Sequence, residues 1–107
     1  MNRMDMSRPY PYLPDQARER TARLARHLHA RMLELEPEGL EVREFREEEG
    51  LVTIAAPQVD NLAGQLRWNL GVHGKAEGDA VKLWTGPGLE FEDLDALWGA
   101  LNELLNE

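Results

Sequence analysis

The sequence predicts an α+β domain in which a four-stranded antiparallel sheet carries an N-terminal and a C-terminal helix on one face, in the order α-β-β-β-β-α. Two observations predict it. Apolar residues recur every three or four positions near both ends of the chain, and short β-prone runs separated by turn residues fill the middle. The length of 107 residues suits a single core. We assign residues 1–12 to a flexible tail and residues 13–107 to the domain.

The first helix is predicted over residues 14–36. Pro14 suits the first helical position, where the backbone N–H has no intrahelical partner in any case, and Pro37 ends the helix. The residues of its apolar stripe are three or four positions apart: Ala17, Thr21, Leu24, Leu28, Met32 and Leu35. A mainly basic flank runs beside this stripe and consists of Arg20, Arg23, His27 and Arg31.

Four strands are predicted between the helices, over residues 40–47, 51–56, 66–72 and 80–85. Glu48, Glu49 and Gly50 form a turn, so the first two strands make a hairpin. The third strand shows the clearest alternation in the chain, with apolar side chains at every second position: Leu66, Trp68, Leu70 and Val72.

The second helix is predicted over residues 91–105. Its apolar face has helical spacing and consists of Leu94, Leu97, Trp98, Leu101, Leu104 and Leu105. Acidic residues gather at its start, where the positive end of the helix dipole favours them: Glu90, Glu92, Asp93 and Asp95. Two helices with one apolar stripe each bury both stripes most simply on the same face of the sheet.

Composition narrows the classes of function. The formal net charge is −8, and such a field repels nucleic acid and anionic membranes at long range. There is no Cys, which excludes disulfides, zinc–cysteine sites and thiol catalysis. Frequent Glu without Cys also suits a thermophilic source. Because no apolar leader or run of about 18 apolar residues is present, we expect no membrane contact and a cytoplasmic location.

The sequence contains no strong catalytic or cofactor motif. Ser7 is the only serine and falls in the predicted tail, and Thr21, Thr53 and Thr85 lie in regular elements without a His or other base at an obvious spacing. His27 and His29 point about 200° apart on a helix and cannot chelate one metal ion together. We therefore expect neither enzymatic activity nor a cofactor. The enzymatic alternative is a small hydrolase or isomerase with carboxylate chemistry around Asp60, which lies in a predicted loop, and the hairpin loops.

We predict a protein-interaction domain that forms a homodimer or binds another protein through the outer face of the sheet. Residue parity in the fourth strand points Trp84 away from the helices, and Phe45 joins it with either Val52 or Ile54. An aromatic patch of this kind is typical of an interface.

The alternative from another class is an RNA-binding or nucleoprotein-associated module that uses the basic flank, Arg20, Arg23, His27 and Arg31. We favour the pairing of these side chains with acidic groups of the second helix or the sheet, because such surface pairs are common. The net charge also opposes binding to polyanions, so we do not favour nucleic acid as a partner.

Overall fold

A computed structural model describes residues 4–10 and 12–107 of the chain. The described residues form three α-helices: α1 (Asp15–Leu33), α2 (Leu62–Leu70) and α3 (Phe91–Leu105). Six strands accompany them: β1 (Met4–Asp5), β2 (Glu41–Arg46), β3 (Leu51–Ala55), β4 (Val72–His73), β5 (Lys75–Glu77) and β6 (Ala80–Trp84). The predicted helix over residues 14–36 ends earlier than expected, because the chain tightens into a 3₁₀ turn around Pro37.

The central sheet is antiparallel and has the strand order β2-β3-β6-β5, which confirms the predicted α+β fold. Val52 pairs with Leu83, and Ile54 pairs with Val81. These four side chains form one core cluster with the apolar residues of all three helices. We call this side of the sheet the inner face. The outer face carries the residues of opposite parity on the central strands, among them Leu51, Thr53, Lys82 and Trp84.

The strand predicted over residues 66–72 is wrong, because most of this stretch belongs to α2. Leu62, Leu66 and Leu70 are four residues apart and face the core, so the alternating pattern contained a helical pattern as well. Asn61 caps the helix by accepting the Gly64 N–H at 3.2 Å. The remaining strand of the sheet is β5, which lies between the predicted strands over residues 66–72 and 80–85, where the sequence predicts no strand.

The placement of residues 1–12 outside the domain is also wrong for the segment around Met6. β1 pairs in parallel with β4. The Met6 N–H donates to the His73 carbonyl at 2.7 Å, and the Met6 carbonyl accepts the Trp84 N–H at 2.9 Å. The Met6 side chain is fully buried in the core. Residues 1–3 and 11 of the predicted tail lie outside the described residues.

Candidate functional site

The basic flank of α1 is paired with carboxylates. The Arg20 guanidinium lies 2.8 Å from the Glu90 carboxylate, and His27 Nε2 lies 2.7 Å from Asp95 Oδ1. Arg31 Nε lies 3.2 Å from the same Asp95 oxygen, although without the alignment of a hydrogen bond. Contact between α1 and α3 brings these groups together. The predicted pairing with the C-terminal helix is therefore confirmed for these three side chains.

The fourth residue of the flank, Arg23, pairs within α1 instead: its guanidinium lies 3.6 Å from the Glu19 carboxylate. Aromatic rings hold part of the flank in place. The Arg31 guanidinium lies 4.1 Å from the centre of the Trp98 ring, and His27 meets Phe91 edge-to-face at 5.2 Å. The flank thus offers little unpaired positive charge to a polyanion.

Phe45 and Ile54 do not lie on the outer face, so this part of the predicted patch is wrong. Phe45 pairs with Val52, and Val42 pairs with Ile54, all on the inner face. A bulge at Arg43 adds one residue between Val42 and Phe45 and so keeps both side chains inward. The Phe45 ring stacks on His29 with 4.0 Å between ring centroids.

Trp84 lies on the outer face as predicted, since it pairs with Leu51 in the register that also places Thr53 opposite Lys82. Its side chain, however, is only 7% exposed within the single chain. Its indole Nε1 is buried without a hydrogen-bond partner among the described residues. The expectation that Trp84 is an exposed surface aromatic is therefore wrong.

Ion pairs cover the outer face and the sheet end beside it. Arg43 on β2 reaches Asp79 beside β6 at 2.6 and 2.9 Å, although β3 lies between these strands. Arg46 pairs with Glu44 at 2.7 Å, and Thr53 donates to the same carboxylate at 3.3 Å. This surface is polar and internally neutralised, which differs from the apolar patch expected there.

The hydrogen bonds from Arg43 lower the pKa of the Asp79 carboxyl below its ordinary value. A carboxyl with a lowered folded-state pKa contributes stability above its unfolded-state pKa, and that contribution is lost as the pH falls through the folded-state pKa. We expect Arg43→Gln to raise the pKa of Asp79, as followed by an NMR pH titration. Arg18→Gln, which removes a distant pair with Asp15, is the control and leaves the Asp79 titration unchanged. Equal titration of Asp79 in wild type and Arg43→Gln would contradict the pairing.

A Ser–Asp–His group forms at the edge of the fold, where β1 and β4 place Asp5 opposite His73. The Ser7 hydroxyl donates to the Asp5 carboxylate at 2.5 Å, and the Ser7 N–H donates to it at 3.1 Å. The pKa of Asp5 is lowered, first by the hydroxyl hydrogen bond. A nucleophilic serine requires its hydroxyl to donate to a base strong enough to accept the proton. The Ser7 hydroxyl donates to Asp5, whose lowered pKa makes it a weaker base than an ordinary carboxylate. The sequence interpretation missed this group because it placed Asp5 and Ser7 in a tail.

The exposed face of α2 carries the remaining candidate. Trp68 is 70% exposed, and the Arg67 guanidinium lies 5.7 Å from the centre of its ring. The alternation of residues 66–72 hid this face, because a strand would have placed Trp68 on the same side as Leu66. The four-residue spacing of Leu62, Leu66 and Leu70 is typical of a helix and could have revealed the exposed face of α2.

A shallow groove runs beside α2, between this helix and the β5–β6 hairpin. It consists of two adjoining cavities of about 240 and 220 Å³ that share Asn61, Ala63 and Ala76. Asp60 lines one cavity and Arg67 the other, and neither side chain makes an ion pair with another described residue. The two ends of the groove therefore carry opposite charges that the fold itself leaves uncompensated.

Over the part of the chain that the structure describes, the helices are too short or too polar to cross a membrane. Within residues 4–10 and 12–107, no three His, Asp or Glu side chains lie close enough together to hold a metal ion. No protein-family model, curated protein or solved structure matches the chain.

Proposed function

We propose that this protein is a small interaction domain that self-associates through α2 and has no catalytic activity of its own. The single observation that carries the proposal is the exposure of Trp68, which is 70% accessible to solvent. A Trp side chain can bury roughly 150–250 Å² in a contact. Trp is also enriched among the residues that dominate binding energy at interfaces.

The outer face of the sheet is a poorer candidate for the contact than α2. Trp84 is buried within the single chain, and the outer sheet face carries Arg43–Asp79 and Arg46–Glu44 ion pairs. Groups that are already paired gain little from a partner, because a new contact must replace the internal one. We therefore move the proposed contact from the outer sheet face to the exposed side of α2.

The expected association is weak and depends on salt. α2 has nine residues, and a contact built on one short helix falls below the roughly 1,200 Å² of stable interfaces. The net charge of −8 also makes two copies repel each other. Screening shortens the range of this repulsion to about 8 Å at physiological ionic strength, so the repulsion between two copies weakens between low and physiological salt.

The proposal is tested with Trp68→Ala in sedimentation equilibrium over protein concentrations of about 10 µM to about 1 mM, the range of weak complexes. We expect the average mass of the wild type to rise with concentration toward twice 12.2 kDa. The variant is expected to remain monomeric, because it lacks the central apolar contact. Tyr12→Ala is the matched control, since Tyr12 is a 94% exposed aromatic away from α2, and this variant associates like the wild type. Wild-type protein that stays monomeric at every concentration and salt contradicts the proposal.

A further inference from the structure

We infer that two copies of this chain associate by antiparallel, two-fold pairing of α2, with Arg67 of each copy bound to the partner's Asp60. The inference rests on the proposed function and specifies its geometry. A two-fold axis makes the contact self-complementary, so one arrangement forms the same ion pair twice.

Charge complementarity favours a second copy of this chain as the partner. The chain has 20 acidic and 12 basic residues, and every other described arginine lies 3.9 Å or less from a carboxylate. Arg67 lies that close to none, even though carboxylates outnumber bases. Asp60 likewise pairs with no described cation. Asp60 and Arg67 thus place opposite charges without an intramolecular partner near the two ends of α2. A second copy of the same helix can pair with both charges.

The spacing along α2 sets the direction of pairing. Asp60 precedes the helix, and Arg67 lies about 8 Å beyond the first helical residue, Leu62, at 1.5 Å per residue. An antiparallel copy, related by an axis beside Gly64, brings each Arg67 to the partner's Asp60. A parallel copy would instead bring like charges together. The antiparallel arrangement also sets the two helix dipoles in opposition, which is the favourable orientation.

The side of α2 that faces away from the core presents Trp68 to a partner. At 100° per residue, Gly64 and Trp68 lie on the side of α2 opposite to Leu62, Leu66 and Leu70, which face the core. Gly64 has no side chain, and the Asn61 amide lies over it so closely that an added Cβ would be 2.3 Å from Asn61 Nδ2. Gly64 is therefore buried beneath Asn61, and Trp68 is the large side chain that projects from this side of α2. With the axis beside Gly64, Trp68 of one copy lies opposite the partner's Asp60, so each indole lies beside an Arg67–Asp60 ion pair.

Charge reversal tests the pairing. Arg67→Asp and Asp60→Arg, each alone, are expected to weaken self-association at least about fivefold, because each places like charges together twice per dimer. The combination of both substitutions restores opposite charges and is expected to return the dissociation constant to within about twofold of the wild type. Sedimentation equilibrium measures all three variants, with circular dichroism to verify that each is folded.

Two control variants make the same changes in charge on α1 and α3, outside the proposed contact. Arg23→Asp matches Arg67→Asp, since Arg23 pairs only within α1, and Glu103→Arg matches Asp60→Arg on an exposed position of α3. Both controls are expected to associate within about twofold of the wild type, apart from the general effect of net charge. If Trp68→Ala abolishes association while the double reversal fails to restore it, the antiparallel pairing is overturned and the proposed function stands. A wild type that never associates overturns both.

Discussion

Replacement of Leu101 by Ala is expected to lower the free energy of unfolding by about 2–5 kcal/mol, the range for removal of a large buried aliphatic side chain. Leu101 is fully buried and belongs to the core cluster, in which α3 faces α1 and the inner face of the sheet. The loss combines the transfer free energy of the removed methyl groups with the cost of the cavity they leave. A domain of this size is stable by only about 5–15 kcal/mol in total, so the variant has lost a large fraction of its stability.

Urea denaturation of wild type and Leu101→Ala measures this loss through the transition midpoint and slope. Leu33→Ala is the matched control, because it makes the same chemical change at a side chain that is 41% exposed. We expect the control to cost less than about 1 kcal/mol. Coincident midpoints for wild type and Leu101→Ala would show that α3 does not contribute a core face.

Met6→Ala is expected to cost about 2–5 kcal/mol as well, although the residue lies in a segment that the sequence placed outside the domain. Met6 is fully buried among core residues. Its backbone joins two elements, since its N–H donates to His73 and its carbonyl accepts from Trp84. Loss of the side chain therefore leaves a cavity at the place where β4 approaches the end of β6.

The comparison with Met4→Ala makes this expectation specific to burial. Met4 donates its N–H to the Gly71 carbonyl at 3.0 Å but its side chain is only partly buried, so its truncation is expected to cost clearly less than that of Met6. Urea midpoints of both variants are measured under identical conditions. A Met6→Ala midpoint equal to that of the wild type would mean that this segment contributes no net stability, as expected of a passive tail.

The sequence by itself determined the elements whose local signals agree with each other. In α1 and α3, helical spacing of apolar residues coincides with turn or acidic residues at the boundaries. The β2–β3 hairpin and β6 are bounded by Gly50, Pro57 and Gly86. Neighbouring residues are sufficient for these assignments, because periodicity and breakers act within a few positions of the chain.

Local signals were ambiguous where two periods fit the same residues. Leu66, Trp68 and Leu70 alternate as in a strand, yet Leu62, Leu66 and Leu70 are spaced as in a helix. The left-handed conformations of Asn61 and Gly71 bound a helix at both ends. Trp68, which a strand would have placed with Leu66, is consequently exposed. The position of the candidate interaction surface therefore depends on whether this segment forms a helix or a strand.

Only the tertiary structure decided which side chains are covered, because coverage comes from segments distant in the chain. Parity placed Trp84 on the outer face correctly, but its burial depends on the packing of the whole chain. The bulge at Arg43 turned Phe45 inward, and the pairing of β1 with β4 drew Met6 into the core. Alternation specifies a direction for each side chain relative to its neighbours. Which residues cover that side chain depends on contacts between distant parts of the chain, and no local sequence pattern contains this information.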